Sequence, residues 1–583
     1  MRLWRTITHP VYIPFVTKAE ETYRALSRGS RMLFLFFSAT LVISSLSLLY
    51  ILNSSMLVAI PGYGGGLSEG IIGAPRFINP VLAISDADKD LSVLVYSGLL
   101  RATPQGEYVP DLAQSYSISP DGLVYTFTLR KDALFHDGEK VTAQDILFTI
   151  QKIQDPAIKS PLRANWNGVV TEVVDERTVR FVLRSPYAPF VQNLTVGILP
   201  AHLWQQASAE EFPFSELNTS PIGSGPFSVD SISRTPSGIP SSYVLRAFSK
   251  YALGKPYFSH LTLKFYQSES ALASAITSGE VEAASGLSAG TLNSLPASNI
   301  RRASLNRVFG VFFNQNQSEV LRDIDVRRAL EESIDRDHVV KEILGGYGTP
   351  LEGPIPPDIL SRSALASAEA PAVRDSAISA QQRLISRGWK LENGILTKTA
   401  GKGTAAKTTT LAFSLSTGNV PELRATAEYL SSQWRKMGAM VDVKVFEQGD
   451  LSQNVIRPRK YDALLFGEVV GRELDLYAFW HSSQRNDPGL NIALYANSTA
   501  DDILEELRQT GSDEKRLELY QKFMIELEKD VPAIFLYAPD FVYSIPNDIV
   551  GLNLGFIETP SDRFLSAPGW HRETDYVWPI FGR

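Results

Sequence analysis

Residues 410–466 read TLAFSLS TGNV PELRATAEYLSSQWRKMG AM VDVKVF EQGDLSQNVIRPRK YDALLF, and the succession of patterns within them decides the fold class. TLAFSLS is a short apolar run with strand character. In the next run, Leu423, Ala427, Leu430, Trp434 and Met437 form one helical stripe, and Gly438 closes it. VDVKVF is a second strand, a short helical turn follows, and YDALLF is a third. Strand, helix and strand of these lengths predict a right-handed crossover with the first two strands parallel. In open α/β sheets, ligands sit beyond the carboxyl ends of the strands. That points to Thr417, Gly418 and Asn419 after the first strand, and to Gly467, Glu468, Val469 and Val470 after the third. Asn419 and Glu422 match a capping box, so Asn419 either caps its own helix or belongs to an anion-accepting helix N-terminus.

Outward from this unit, residues 501–530 carry a helical pattern that leads into the strand PAIFLY (532–537). The stretch 541–583 has no clear period and is expected to return to the first half of the chain. Upstream, VRRALEESIDRDHVVKEIL (326–344) reads as one helix stopped by Gly345-Gly346. Residues 362–390 are Ala/Ser-rich and helix-like, and 397–410 read as a polar loop. Between about 67 and 305 the chain alternates turns with short strands, VYTFTLR (124–130), TVRFVLR (178–184), SYVLRAF (242–248) and HLTLKFY (260–266) among them. That half is expected to be mixed sheet with scattered helices. Within it, DGLVYTFTLRKDALFHDGEKVTAQD (121–145) compresses turn, strand, turn and helix start, with Thr142 and Asp145 as a capping box.

At 583 residues the chain exceeds what one hydrophobic core supports, so two or three lobes are expected. It has no cysteine, which excludes disulfides, thiolate metal sites and a cysteine nucleophile. Residues 32–52 are 21 positions without a charge, enough to cross a bilayer as a helix. Arg2, Arg5, Lys18, Arg24, Arg28 and Arg31 precede them against Glu20 and Glu21, which predicts a cytoplasmic N-terminal segment (1–31) and an extracytoplasmic remainder. A cleaved signal peptide fits less well, because the leader is long and the apolar core exceeds a usual h-region. Residues 53–66, ending in a glycine cluster, read as a spacer. Beyond residue 60 the chain carries 50 basic and 61 acidic residues, a net −11, so nucleic acid is not an expected partner.

The seven histidines are scattered without metal-ligand spacing, and Ser512-x-x-Lys515 lies in a charged stretch. No enzyme constellation emerges, and no metal or cofactor is expected. A binding module needs less: lobes, a cleft and a few polar anchors.

Five segments taken in order carry a resemblance. They are VPDLAQSYSISPDGLVYTFTLRKDALFHDGEKVTAQDILFTI, VVDERTVRFVLRSPYAPFVQNL, SPIGSGPFSVD, VRRALEESIDRDHVVKEILGGYGTPLEGPIPP and EKRLELYQKFMIELEKDVPAIFLY. From about 67 to 545 the chain resembles the bacterial family 5 extracellular solute-binding proteins, the peptide and nickel receptors of ABC importers. The resemblance implies a two-lobed, periplasmic-binding-protein-like α/β fold with a third subdomain. Lobe I would span 67–305, with an inserted subdomain near 106–215. Lobe II would span 306–540, and 541–583 would return to lobe I. It also implies closure around an oligopeptide or other small solute, delivered to a permease and ATPase. A non-transport sensor or chaperone-like protein on the same fold is the alternative, and a surface peptidase is a remote third.

The family's peptide clamp is altered here. The acid that pairs with a peptide ammonium is expected near Val470 to Arg472, where none stands; Glu468, Glu473 and Asp475 are the open replacements. Dipeptide receptors carry Arg-x-Tyr before the long helix, where this chain has Thr417-Gly418-Asn419. Both departures favour a longer peptide or a non-peptide solute over a dipeptide. Trp480 and His481 follow a helical turn near the same cleft edge, as an aromatic platform or as core. Clustered histidines for nickel are lacking.

Overall fold

One long strand, Ala533–Ser544, organises the molecule. Its first part pairs antiparallel with Arg307–Phe313 and its last part with Ala283–Ser285 and Ile300–Ser304. Only Leu305 and Asn306 separate Ile300–Ser304 from Arg307–Phe313, so two adjacent stretches of chain pass from one half of the sheet to the other. The computed structural model describes residues 14–296, 299–356, 377–400, 407–472, 474–510 and 512–578. Among these, the main sheet runs in the order Met440–Phe446, Ala412–Gly418, Ala463–Val469, Arg307–Phe313, Ala533–Ser544, Ala283–Ser285, Gly66–Ile72, His260–Tyr266, Pro240–Ala247, Phe227–Arg234.

The decisive stretch folds as its pattern predicts. Ala412–Gly418 lies parallel to both Met440–Phe446 and Ala463–Val469, with helix Pro421–Met437 between the first two in sequence. Leu423, Ala427, Leu430, Trp434 and Met437 are buried, and Gly438 takes the left-handed conformation that ends the helix (φ +106°). Residues of these strands alternate between two cores. Val311, Phe313, Leu415 and Leu465 face the long helix, whereas Val308, Phe312, Leu464 and Phe535 face helices Ser498–Gln509 and Asp513–Asp530. The result is helix, sheet and helix in three layers.

Several local expectations need correction. The single helix over 326–344 breaks after Ile324–Glu332, because Asp335 caps a new turn by accepting from the amide of His338 (3.0 Å). The polar loop at 397–410 contributes instead to a small sheet of Lys390–Glu392, Ile395–Ala400 and Lys407–Thr410, whose outer positions are mostly Thr and Lys while Leu396 turns into the core. The helix-like run 362–390 is helical over Ala377–Ser386, and its part up to 376 lies outside the described residues. The pattern at 501–530 is two helices, with Ser512 capping the second. The strand PAIFLY extends to Ser544.

The other half is built on Leu67, Leu91, Phe127, Phe181, Tyr243 and Leu263. Phe541, Tyr543, Ile545, Phe564 and Trp570 join that core from the far end of the chain. A four-stranded antiparallel sheet, Ala113–Ile118, Val124–Leu129, Thr178–Val182 and Val170–Val173, packs beside helix Ala143–Gln154. Two motifs distant in sequence lock here. His136 Nε2 donates to the Gly225 carbonyl (3.0 Å), and its Nδ1 accepts from the Gly223 amide (3.3 Å). A Cβ on Gly223 would lie 2.1 Å from the Val95 carbonyl oxygen, so the SPIGSGPF turn must be glycine there. Burial pushes His136 down to about 4, which keeps the ring neutral for this pairing. Deeper still, Arg563 Nε donates to Glu69 (2.7 Å) and its Nη groups to Asp90 (2.9 and 2.6 Å), while the Tyr543 hydroxyl donates to Glu69 (2.6 Å). All four side chains are buried, so this cluster ties 540–564 to the first strand and helix.

The chain divides into two compact units, Met1–Gly62 with Glu573–Arg583, and Tyr63–Arg572. In the former, helix Arg28–Met56 contains the uncharged run and buries none of its residues. The spacer expected over 53–66 is structured: the helix continues to Met56, and Val58–Pro61 pairs antiparallel with Thr574–Val577. Residues 574–577 therefore pair with the stretch after the helix, a correction to the return expected for all of 541–583.

Candidate ligand site

The carboxyl ends of the parallel strands Ala412–Gly418 and Ala463–Val469 lie at the end of the sheet where Arg307–Phe313 begins. Thr417 is buried, and its Oγ1 donates to the Leu465 carbonyl (3.1 Å), stitching the two parallel strands. Asn419 does not cap the helix. Val420 holds that position ahead of Pro421, and the Asn419 amide donates to Glu447 (2.6 Å), because the chain turns toward the neighbouring strand before the helix starts. Gly467 is where the Phe309 ring lies across the sheet: a Cβ there would sit 2.6 Å from that ring, which also stacks on Tyr537 at 5.0 Å. Val470 is part of the crossing between the halves. Its amide donates to the Asn306 carbonyl (3.0 Å), and Asn306 Nδ2 donates back (2.9 Å).

The charged groups separate into committed and uncommitted. Asp475 accepts from both Nε and Nη2 of Arg508 (2.8 and 2.5 Å) and from the Tyr187 hydroxyl (3.1 Å). Arg508 in turn lies over the Tyr477 ring at 3.8 Å. Asp475 thus joins the helix Ser498–Gln509 side to the segment carrying Tyr187. Arg472, whose side chain is 4% exposed, donates to the carbonyls of Thr103 and Phe556 (3.2 Å each), pairs closely with Asp562, and lies 3.5 Å from Glu558. Gln192 donates to Glu558 (2.9 Å). Burial first, then the neighbouring Asp562, pushes Glu558 up to about 7, against the pull of Arg472. Glu473 lies outside the described residues.

Glu468 differs from these. It is 4% exposed, stands opposite Val308 with Phe466 and Val470 on its face, and its Oε1 has no hydrogen-bond partner. Burial alone drives its carboxyl well above the ordinary range, which favours the neutral acid over the carboxylate. One strand over, Arg307 stands opposite Val469 with a buried Nε that also lacks a partner, and burial lowers its pKa. Sequence reading missed Arg307. The available signal was its place as the first residue of a strand directly after the crossing.

The aromatic pair is not at this end of the sheet. Trp480 is fully buried against Phe312, Phe523 and Phe535. His481 stacks on Tyr477 at 4.0 Å and turns its Nε2 toward Glu505 (3.4 Å) on helix Ser498–Gln509. Gly66-Leu-Ser-Glu-Gly70 fits G-x-S-x-G, but it lies within the paired strand Gly66–Ile72, and Ser68 Oγ donates to Glu282 (3.2 Å) rather than standing on a sharp turn. Among the described residues no group of three or more His, Asp or Glu is placed to hold a metal ion.

Two sheet halves with separate cores, joined by two crossing stretches and carrying buried polar atoms without hydrogen-bond partners at the strand ends, define a two-lobed binding protein of the periplasmic type. The chain belongs to the bacterial extracellular solute-binding proteins, family 5, whose model (Middle) matches residues 107–490. Members of this family serve ABC transporters as solute-binding proteins and are not enzymes. Among relatives, the oligopeptide-binding protein AppA of Bacillus subtilis is 26% identical over 508 residues, covering 84% of this chain and 89% of that protein. Protein XP55 of Streptomyces lividans is 28% identical, covering 83% and 85%. Among solved structures, Bacillus subtilis AppA in complex with a nonapeptide superposes with a TM-score of 0.69 at 25% identity, covering 88% of this chain and 99% of that one. NikZ from Campylobacter jejuni in complex with Ni(L-His) gives 0.68 at 26% identity, covering 87% and 99%.

Proposed function

We propose that this chain is a membrane-anchored, extracytoplasmic receptor that captures oligopeptides by lobe closure and passes them to an ABC permease and its ATPase. The lobes would be 67–305 with the return of 541–572, and 306–540. The single observation that carries the reading is Glu468, a buried carboxyl without a partner at the carboxyl end of a parallel strand. The other acid considered, Asp475, is already held by Arg508 and Tyr187. Glu468 would receive the cationic end of the ligand, and Arg307 an anionic group. Thr417, Asn419, Gly467 and Val470 would shape the strand ends, with Trp480 and His481 supporting from behind. Helix Arg28–Met56 supports anchoring by its length, its uncharged run and its wholly unburied surface. The relatives that bind oligopeptides support the ligand class.

Calorimetry with a mixed peptide pool tests this reading. An ammonium group entering beside Glu468 favours its ionised form, so binding should be linked to proton release, read as a dependence of the heat on buffer ionisation enthalpy. Glu468→Gln should weaken binding at least about tenfold and abolish that dependence. No binding by any peptide of two to eight residues would sink the peptide claim.

A further inference from the structure

The unit formed by residues 14–62 and 573–578 contains a feature that ligand capture does not use. Val58↔Val577, Ala59↔Tyr576, Ile60↔Asp575 and Pro61↔Thr574 form a two-stranded antiparallel ribbon, and the Gly62 amide extends it by donating to the Glu573 carbonyl (2.8 Å). A two-stranded ribbon alone is marginal in water. This one begins two residues after helix Arg28–Met56 ends, and its partner strand runs back toward that end. Tyr576 lies on the strand Thr574–Val577, and Trp578 is the residue that directly follows its end, on the side nearest the helix. They are 67% and 42% exposed. The ribbon and the residue after it thus leave two large aromatic rings with polar tips partly open to their surroundings, close in sequence pairing to the exit of an apolar helix.

The height of these rings follows from chain geometry. If Leu52 marks the outer edge of the hydrocarbon, the remaining helical residues rise ~6 Å and Leu57 adds ~3 Å, which places Trp578 within roughly 10 Å of the boundary. The polar interfacial layer is ~5–8 Å thick, within reach of an indole or phenol side chain. Tryptophan and tyrosine concentrate in that layer because the ring favours the acyl boundary while its N–H or O–H stays hydrated. We infer that the Val58–Pro61/Thr574–Val577 ribbon is an interfacial brace, holding Tyr576 and Trp578 in the headgroup layer of the membrane crossed by helix Arg28–Met56. The occupant is the lipid interface, because the ribbon is continuous with the span and its chemistry is that of the interfacial belt. The brace adds a second contact with the bilayer and replaces a slack tether with a paired one.

This inference rests on the anchoring reading, and the test separates the two. The chain has no cysteine, so single cysteines label cleanly. Trp578→Cys and Leu46→Cys, each in the full chain, carry an environment-sensitive fluorophore in nanodiscs of phosphatidylethanolamine and phosphatidylglycerol. Nitroxide lipids with the spin at the headgroup or deep in the acyl chain serve as quenchers, and iodide probes water access. The brace predicts that the headgroup nitroxide removes roughly half or more of the emission at 578, and that iodide access falls at least about threefold against the free dye–cysteine adduct. The acyl nitroxide should quench the label at 46. A label at 578 that behaves like the free adduct, with 46 still quenched, overturns the brace and leaves the anchor standing. A label at 46 that escapes the acyl quencher overturns both.

Discussion

Replacing Arg472 with Met is the sharpest probe of the contact between the sheet halves. The guanidinium is almost fully buried, pairs with Asp562 and Glu558, and also donates to the Thr103 and Phe556 carbonyls. Methionine keeps apolar cover over the Phe556 ring, which lies 5.1 Å from the guanidinium carbon, so the loss is mainly electrostatic. Charge-assisted hydrogen bonds contribute ~1.5–3 kcal/mol each, and breaking a buried pair costs ~3–5 kcal/mol. Since Glu558 and Asp562 keep some solvent contact, roughly 3 kcal/mol is expected at pH 8. The cost must depend on pH through Glu558. Its folded-state carboxyl stands at about 7 against an ordinary 4.5, so its contribution to stability is complete below 4.5 and lost as pH rises through 7. At pH 5 Glu558 is protonated with or without Arg472, and only the Asp562 pairing and the two carbonyl bonds are forfeited. Asp562 also accepts from the Glu558 amide (2.9 Å) and so keeps a partner when the guanidinium is gone, which makes the loss at pH 5 smaller than that at pH 8. The destabilisation by Arg472→Met should therefore be greater at pH 8 than at pH 5, read from urea-unfolding curves of the full chain at constant m. An equal loss at both pH values would show that Glu558 does not feel Arg472, and a loss below ~1 kcal/mol would refute burial of the cluster.

Three further outcomes follow from the geometry. Gly467→Ala drives a Cβ into the Phe309 ring and should cost ~1–3 kcal/mol in unfolding free energy; adding Phe309→Leu should recover part of it, and no recovery would refute the ring contact. His136 is depressed to about 4, so its contribution is present above its ordinary 6.5 and lost as pH falls through 4; His136→Asn should flatten the stability curve over that window, and an unchanged slope would count against the neutral ring. Asp475→Asn releases Arg508 and Tyr187, and should raise the radius of gyration of the ligand-free protein in small-angle scattering while costing ~1 kcal/mol or less of unfolding free energy. An unchanged radius would mean that this pair does not hold the halves together.

What the sequence disclosed and what it hid divide by the reach of the interactions involved. The strand–helix–strand unit was legible because each signal lies within about 20 residues: a stripe at period 3.6, a glycine at φ +106°, and a second apolar run. The break in 326–344 was not, because Ser333 to Asp335 fit the helical stripe, and only Asp335 turning back to His338 reveals the new cap. The full length of Ala533–Ser544 was hidden by Pro539, which reads as a stop. In the fold it pairs with Gly348 at a switch of partners, a position where a missing amide is tolerated. The ligand end was harder for the same reason. Glu468, Arg472 and Asp475 look alike in sequence, charged residues after a strand. What distinguishes them are Tyr187, Asp562 and Thr103, some 90 to 370 residues away, which claim Asp475 and Arg472. Glu468 stands apart because its strand runs three residues beyond YDALLF, to Val469, which turns its side chain onto the face of Phe466 and Val470 instead of into a solvated loop. A one-residue shift in that register would expose the acid, and the site would lose its buried, unpartnered carboxyl. The position of a strand end, rather than the identity of the acid, therefore makes this residue the candidate anchor.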